Sequence, residues 1–294
     1  MSVESVSGFR QRAEQLVAHL PPLLVEARQV AAVVAQGVHG RRRVGPGETF
    51  WQFRRYAQGD AATMIDWRAS AKSPRLYVRE TEWEAAESVW LWADTSPSMH
   101  FASSPALASK HERARLIVMA LAVLLVRGGE SVALLGVDKR PGTGSAALTR
   151  MATRLQRGDA DDAPSLPPAA TLPSHARLVL VSDFLEPVEP VAARIRHFAG
   201  QRVAGHLVRI VDPAEENFPY AGRVLFDGTE REGTILAHRS EALRGDYRER
   251  LVAHTEAIAL AARNAGWSAT VHRTDGSPHA ALLPLYIDLG GHVT

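Results

Sequence analysis

Residues 87–99 read Glu-Ser-Val-Trp-Leu-Trp-Ala-Asp-Thr-Ser-Pro-Ser-Met, an apolar run that passes into a loop of carboxylate and hydroxyl side chains. The apolar part, 87–94, predicts a buried β-strand, because its hydrophobic residues are continuous and do not alternate with polar ones. A strand that is apolar on both faces is typical of a parallel sheet covered by helices on both sides. This stretch therefore predicts the first strand of such a sheet.

The chain beyond this strand alternates between helical and strand patterns. We predict helices over 111–129, 145–157, 188–199, 240–264 and 278–289. We predict strands over 131–138, 177–184, 202–212 and 267–275, and a hairpin formed by 222–227 and 233–237. Apolar strands that alternate with helices indicate an α/β fold with a doubly wound, mostly parallel sheet.

The chain before residue 87 has a different composition. Helical spacing from about residue 7 to 36 is interrupted at Pro21 and Pro22, and an aromatic, basic stretch follows over 50–80. Residues 41–80 carry nine Lys or Arg against four Asp or Glu, whereas residues 81–294 carry 22 against 25. We therefore predict an N-terminal helical and β elaboration over 1–86 and an α/β domain over 87–294.

The overall composition excludes several classes of protein. A chain of 294 residues with 46% hydrophobic and 22% charged residues has enough apolar sequence for a core and is not a disordered protein. It contains no cysteine, which excludes disulfides and thiolate metal sites. The longest apolar stretch, 116–126, is shorter than the roughly 20 residues of a membrane span. No basic start followed by an apolar run is visible, so we expect a cytoplasmic protein without a membrane span.

Polar side chains occur where three of the predicted strands end. Asp94, Ser96 and Ser98 follow the first strand, a loop with hydroxyl side chains over 141–145 follows the second, and Asp183 follows the third. Ligands of parallel sheets bind at the carboxyl ends of the strands, so we expect these groups to meet there. Carboxylate and hydroxyl oxygens are hard ligands that suit Mg²⁺, Mn²⁺ or Ca²⁺ better than Zn²⁺. The sequence therefore predicts an oxygen-lined site for a divalent cation, and we expect Mg²⁺.

This arrangement resembles the metal-ion-dependent adhesion site of von Willebrand factor A domains. The resemblance implies that Ser96 and Ser98 are direct ligands, that Asp94 and Asp183 lie close to the ion, and that Thr143 is the loop threonine. Ser145 and Thr149 lie near Thr143, so the register of that loop stays open. In such sites the open position of the metal takes an acidic residue from a partner protein.

A longer series of motifs resembles the domain-of-unknown-function 58 family of bacterial proteins. The motifs upstream of Asp94 are Gly45-x-Gly47-Glu48-Thr49-Phe50, Arg54-Arg55-Tyr56, Ile65-Asp66-Trp67-Arg68 and Leu76-Tyr77-Val78-Arg79-Glu80. Those downstream are Ser182-Asp183-Phe184-Leu185, Asp212-Pro213 and Tyr247-Arg248. The resemblance implies a von Willebrand factor A-like, Rossmann-like fold and a functional link to MoxR-type AAA+ ATPases.

Each signal has a simpler interpretation. Asp94, Ser96, Ser98 and Asp183 could cap the helices that follow them. The string Gly142-x-Gly144-x-x-Ala147 imitates a dinucleotide-binding fingerprint, but no acidic residue at a strand end follows at the required distance. The aromatic and basic residues of 50–80 could bind nucleic acid, but the acidic residues among them favour a packed layer whose aromatic side chains are buried.

The leading hypothesis is therefore a non-enzymatic interaction protein that binds the carboxylate of a partner through a divalent cation. The partner implied by the resemblance is a MoxR-type ATPase or its client. A metal-dependent hydrolase that uses the same cation is the second hypothesis, and nucleic-acid binding through 41–80 is the third. Arg41, Arg42 and Arg43 form the basic patch that we expect to be exposed, and an acidic partner surface could bind it.

Overall fold

A computed structural model describes residues 20–38, 49–56, 65, 67–71, 76–82, 88–157, 164–229 and 233–290. The N-terminal part contains helix α1 (Pro22–Val38), strand β1 (Thr49–Arg55), the short helix α2 (Trp67–Ser70) and strand β2 (Tyr77–Glu82). Strands β1 and β2 pair antiparallel, with an irregularity in register between Phe50 and Gln52. The predicted basic patch of Arg41, Arg42 and Arg43 lies outside the described residues.

The rest of the chain contains the elements that form the α/β unit. Its strands are β3 (Ser88–Ala93), β4 (Ser131–Leu134), β5 (Arg177–Ser182), β6 (Ala204–Val211), β7 (Val224–Asp227), β8 (Thr234–Ala237) and β9 (Ser268–Arg273). Its helices are α3 (Lys110–Arg127), α4 (Gly144–Gln156), α5 (Val188–Ala199), α6 (Pro213–Asn217), α7 (Ser240–Asn264) and α8 (Pro278–Gly290). The predicted α/β class is confirmed, and so is the hairpin, which β7 and β8 form.

Five strands form the central sheet, in the order β4-β3-β5-β6-β9, and each neighbouring pair is parallel. The first strand of the α/β unit, β3, therefore lies inside the sheet, between β4 and β5. The register aligns Ala93 with Val181, and Val211 with Arg273. As a result, the residues that follow β3, β5, β6 and β9 lie along one edge of the sheet.

Helices cover both faces of this sheet. In β3, Val89 and Leu91 point into a core that includes residues of α1, α3, α4 and α8. Trp90 and Trp92 point into a second core, which includes residues of α5 and α7. Because α1 packs in the first core with α3 and α8, it belongs to the packing of the α/β unit. The domain boundary at residue 86 stays a prediction.

Two sequence-based predictions need correction. The predicted strand 131–138 ends at Leu134, because the chain turns at Gly136 with φ +79° and the Asp138 carboxylate accepts a hydrogen bond from the Leu134 amide. The packed layer that we favoured for 50–80 does not bury Trp67, which is 66% exposed. Within the described residues, no helix is both long and apolar enough to cross a membrane.

Candidate functional site

Asp94 is the first residue after β3 and is fully buried at the carboxyl edge of the sheet. Its backbone amide donates to Val181 O at 2.8 Å, which continues the pairing of β3 with β5. Its Oδ1 accepts from the Ser96 amide at 2.8 Å, and its Oδ2 accepts from the Ser182 hydroxyl at 2.6 Å. The carboxylate is therefore fixed from both sides, by the loop after β3 and by the last residue of β5.

Ser96 and Ser98 are buried beside this carboxylate. Their Oγ atoms lie 3.2 Å apart, so one hydroxyl donates to the other. A 3-10 turn over Pro97–His100 brings them together, and the Ser96 side chain makes no capping hydrogen bond to that turn. Helix α3 is capped by Ser109 instead. The helix-cap interpretation of Ser96 is therefore wrong.

The position of Asp94 makes it an unusual carboxylate. Burial raises the pKa of Asp94 to about 7, and the negative charge of Asp183 adds to this shift. The hydrogen bonds from Ser182 and Ser96 oppose it. Within the described ranges, no Lys, Arg or His side chain forms an ion pair with it. A buried carboxylate without a counter-ion destabilises the fold once it is ionised.

Asp183 follows β5 and is also buried, but it has a counter-ion. Its Oδ2 accepts from the ammonium of Lys110 at 2.7 Å, and its Oδ1 accepts from the Leu185 amide at 3.3 Å. Helix α5 begins after Pro187 without a side-chain cap, so the helix-cap interpretation of Asp183 is also wrong.

Lys110 is the residue that the sequence analysis missed. It is the first residue of α3, it is 1% exposed, and its ammonium also forms an ion pair with Glu215 of α6. Burial alone would lower the pKa of Lys110, but the charges of Asp183 and Glu215 raise it above its ordinary value. The sequence carries no distinctive signal for Lys110, because the first turn of α3, Lys110-His111-Glu112-Arg113, is polar throughout.

Two side chains fix the loop that carries Asp183 by contacting its backbone carbonyl oxygens. Arg209 of β6 donates from Nε to Asp183 O at 3.1 Å, and His254 Nε2 of α7 lies 2.7 Å from Phe184 O. Phe184 has φ +49°, a left-handed conformation that is uncommon for a residue with a side chain. The ends of β5 and β6 and the middle of α7 are therefore connected at this site.

Asp212 follows β6 at the same edge and is fully buried. Its Oδ2 accepts from the Ser103 amide at 2.9 Å, and its Oδ1 caps α6 by accepting from Ala214 at 2.8 Å. Glu215 completes the capping box, since its Oε2 accepts from the Asp212 amide at 2.8 Å. The same glutamate therefore caps α6 and holds Lys110.

Thr143 is exposed and lies in a different environment from the other predicted ligands. It precedes α4, and its neighbour Gly142 pairs with Val132, near the start of the edge strand β4. Thr149, the alternative, donates its hydroxyl to Ser145 O within α4. Asp94, Ser96, Ser98 and Asp183 come together in the structure, and the described contacts do not include Thr143 among them.

Residues 52–257 match the family described as "Protein of unknown function DUF58". Similar curated proteins are the uncharacterized proteins Rv1480 of Mycobacterium tuberculosis and Mb1516 of Mycobacterium bovis. Each is 26% identical over 287 residues, which covers 89% of this chain and 86% of the relative.

Two solved structures show more distant similarity. The conserved hypothetical protein BatB of Bacteroides thetaiotaomicron has a TM-score of 0.36 and 13% identity over 70% of this chain and 99% of its own. An aerotolerance-related membrane protein of Bacteroides fragilis has a TM-score of 0.39 and 13% identity over 69% of this chain and 99% of its own.

Proposed function

This chain belongs to the DUF58 family, and we propose that it is a von Willebrand factor A-like interaction module that binds a partner through a divalent cation. The cation, Mg²⁺ in the first place, would be held at the carboxyl ends of β3 and β5. Ser96 and Ser98 would bind it with their hydroxyls, and Asp94 and Asp183 would compensate its charge. The open position on the ion would accept a carboxylate from the partner.

The observation that carries this proposal is the uncompensated carboxylate of Asp94. It is fully buried beside the hydroxyls of Ser96 and Ser98, whose Oγ atoms lie 3.2 Å apart. Hydroxyl and carboxylate oxygens are the donors that Mg²⁺ prefers, so the residues present fit this ion. A bound divalent cation would supply the positive charge that Asp94 lacks.

The same donor set explains why the partner should be acidic. The two hydroxyls are neutral and the charge of Asp183 is already balanced by Lys110, so Asp94 alone leaves part of the charge of a divalent ion uncompensated, and the ion attracts a further anionic ligand. Carboxylate side chains of another protein meet that requirement. In line with the family resemblance, we propose a MoxR-type AAA+ ATPase, or the client that it remodels, as the source of this carboxylate.

The proposal is tested by retention of the purified chain on an immobilised MoxR-type ATPase, with Mg²⁺ or with a chelator. We expect retention only with Mg²⁺, and loss of retention in Asp94→Ala and Ser96→Ala. Asp246→Ala provides a matched control, because Asp246 is an exposed carboxylate of α7. Retention that survives both the chelator and the Asp94→Ala substitution would overturn the proposal.

A further inference from the structure

The two carboxylates of the proposed cation site are not equivalent. Asp94 has no cationic partner among the described residues, whereas the ammonium of Lys110 lies 2.7 Å from Asp183 Oδ2. We propose that Lys110 is a built-in competitor for the divalent cation at Asp183 and thereby sets how tightly the site binds that ion. This inference rests on the proposed function and assigns a regulating residue to the same site.

The position of Lys110 suits it to this role. Its side chain extends from the first turn of α3 to the carboxyl end of β5, and at 1% exposure it has no contact with bulk water. Its ammonium neutralises Asp183 within the protein, where charges are screened far less than at a surface. In addition, Asp183 Oδ1 accepts the Leu185 amide, so both of its oxygens already have a donor. A divalent ion at Asp183 must therefore displace the ammonium or share the carboxylate with it.

Glu215 makes displacement possible. An ammonium that lost Asp183 without another partner would be a buried, unpaired charge, which is strongly unfavourable. Lys110 already contacts Glu215 Oε1, while the other oxygen of Glu215 is held by the Asp212 amide. The ammonium can therefore leave Asp183 and stay paired with Glu215. Glu215 is the residue that keeps Lys110 compensated when the cation binds.

This arrangement has a consequence for the partner. In the resting site, Asp183 contributes little attraction for a divalent ion, since its charge is balanced by Lys110. Attraction then depends on Asp94 and on any carboxylate that the partner adds. Because of Lys110, the affinity of the site for the cation depends on the carboxylate of the partner, so the ion and the acidic partner bind together.

The test measures the binding of Mn²⁺ alone, by the loss of the electron paramagnetic resonance signal of the free ion. Lys110→Met removes the competing ammonium, and we expect its dissociation constant for Mn²⁺ to fall by ~10-fold or more. Arg113→Met is the matched control. Arg113 lies one turn further along α3, and its guanidinium donates to Thr274 O. The substitution therefore removes an equal positive charge that does not contact Asp183. Its affinity should stay within about threefold of the wild type.

A second variant covers the case in which Lys110→Met fails to fold. Lys110→Met combined with Glu215→Gln removes one positive and one negative charge, so the net charge of the group is that of the wild type. We expect the same gain in Mn²⁺ affinity, because Asp183 alone is left without its ammonium. Equal affinity of the wild type and the double variant would overturn the role of Lys110 and leave the cation site intact. Absence of Mn²⁺ binding in both would overturn the proposed cation site itself.

Discussion

Ser182 donates its hydroxyl to Asp94 Oδ2 at 2.6 Å, and this contact joins the last residue of β5 to the first residue after β3. The same Ser182 oxygen accepts from the Phe184 amide at 2.9 Å, so one buried hydroxyl orients the carboxylate and the loop that carries Asp183. The two strand ends that form the candidate site are therefore connected directly.

Asp94→Asn should stabilise the chain at pH 8 in the absence of divalent ions. Burial raises the pKa of Asp94 from its ordinary value of 3.8 to about 7 in the folded state, so the chain takes up a proton when it folds at a pH between these two values. The wild type therefore loses stability as the pH rises from about 4 to 7, and asparagine removes that loss. We expect an increase of about 1–3 kcal/mol in the free energy of unfolding at pH 8, measured by urea denaturation.

The gain from Asp94→Asn should shrink at pH 4, where wild-type Asp94 is protonated in the folded state. It should also shrink at pH 8 in Mg²⁺, because a bound cation would stabilise only the ionised carboxylate. Asp246→Asn alters an exposed carboxylate, so it should change the free energy of unfolding by no more than about 0.5 kcal/mol under any of the three conditions. A gain that is the same at all three conditions would contradict the raised pKa as its cause.

Ser98→Ala should weaken Mn²⁺ binding, whereas Thr143→Ala should leave it unchanged. Ser98 is buried with its hydroxyl 3.2 Å from that of Ser96, while Thr143 is exposed beside the edge strand. We expect a loss of ~10-fold in affinity for Ser98→Ala and of less than twofold for Thr143→Ala. Titration of Mn²⁺ against both variants checks this. A larger loss in Thr143→Ala would show that the loop before α4 contributes a ligand.

The sequence could predict the parts of the site that follow apolar strands. Asp94 and Asp183 each end a continuous hydrophobic run, and parallel strands place such ends along one edge. Lys110 gave no comparable signal, because it begins a helix whose first turn is polar in any case. Its contacts with Asp183 and Glu215 span 73 and 105 residues, and only the packed fold brings them together.

The second core depends on the close approach of Gly205 to Trp267. Gly205 of β6 has no side chain, and a Cβ at this position would overlap the indole ring of the buried Trp267. The Trp267 Nε1 donates to Val203 O at 3.0 Å, which fixes the ring and leaves it little freedom to move. We expect Gly205→Ala to lower the free energy of unfolding by about 2–3 kcal/mol, measured by urea denaturation.

Gly245→Ala is the matched comparison for Gly205→Ala. Gly245 lies within α7, is exposed, and has no atom within 4 Å of an added Cβ. Alanine has a higher helix propensity than glycine, so we expect this change to stabilise the chain by about 0.5–1 kcal/mol. The two substitutions are chemically identical, so opposite signs would establish that the indole contact decides the effect. Equal small effects would show that the Trp267 ring can move aside.

His272 of β9 should make the chain less stable in acid. Burial lowers the pKa of His272 to about 4, and the nearby positive charge of Arg113 adds to the shift, while Asp275 opposes it. The unfolded chain takes up a proton at pH values near 6.5, and the folded chain does so only near 4. Stability contributed by the neutral imidazole is therefore lost as the pH falls from 6.5 to 4.

His272→Gln removes this titration and keeps a polar side chain at the buried position. The substitution should destabilise the chain at pH 7 through lost packing, and this deficit should become smaller by about 2–3 kcal/mol at pH 4. Comparing the two proteins at each pH cancels the opposite trend that Asp94 produces over the same range. His238→Gln alters an exposed histidine and should show no such change. If the deficit of His272→Gln stays constant between pH 7 and pH 4, His272 titrates alike in the folded and unfolded chain, and its burial does not shift its pKa.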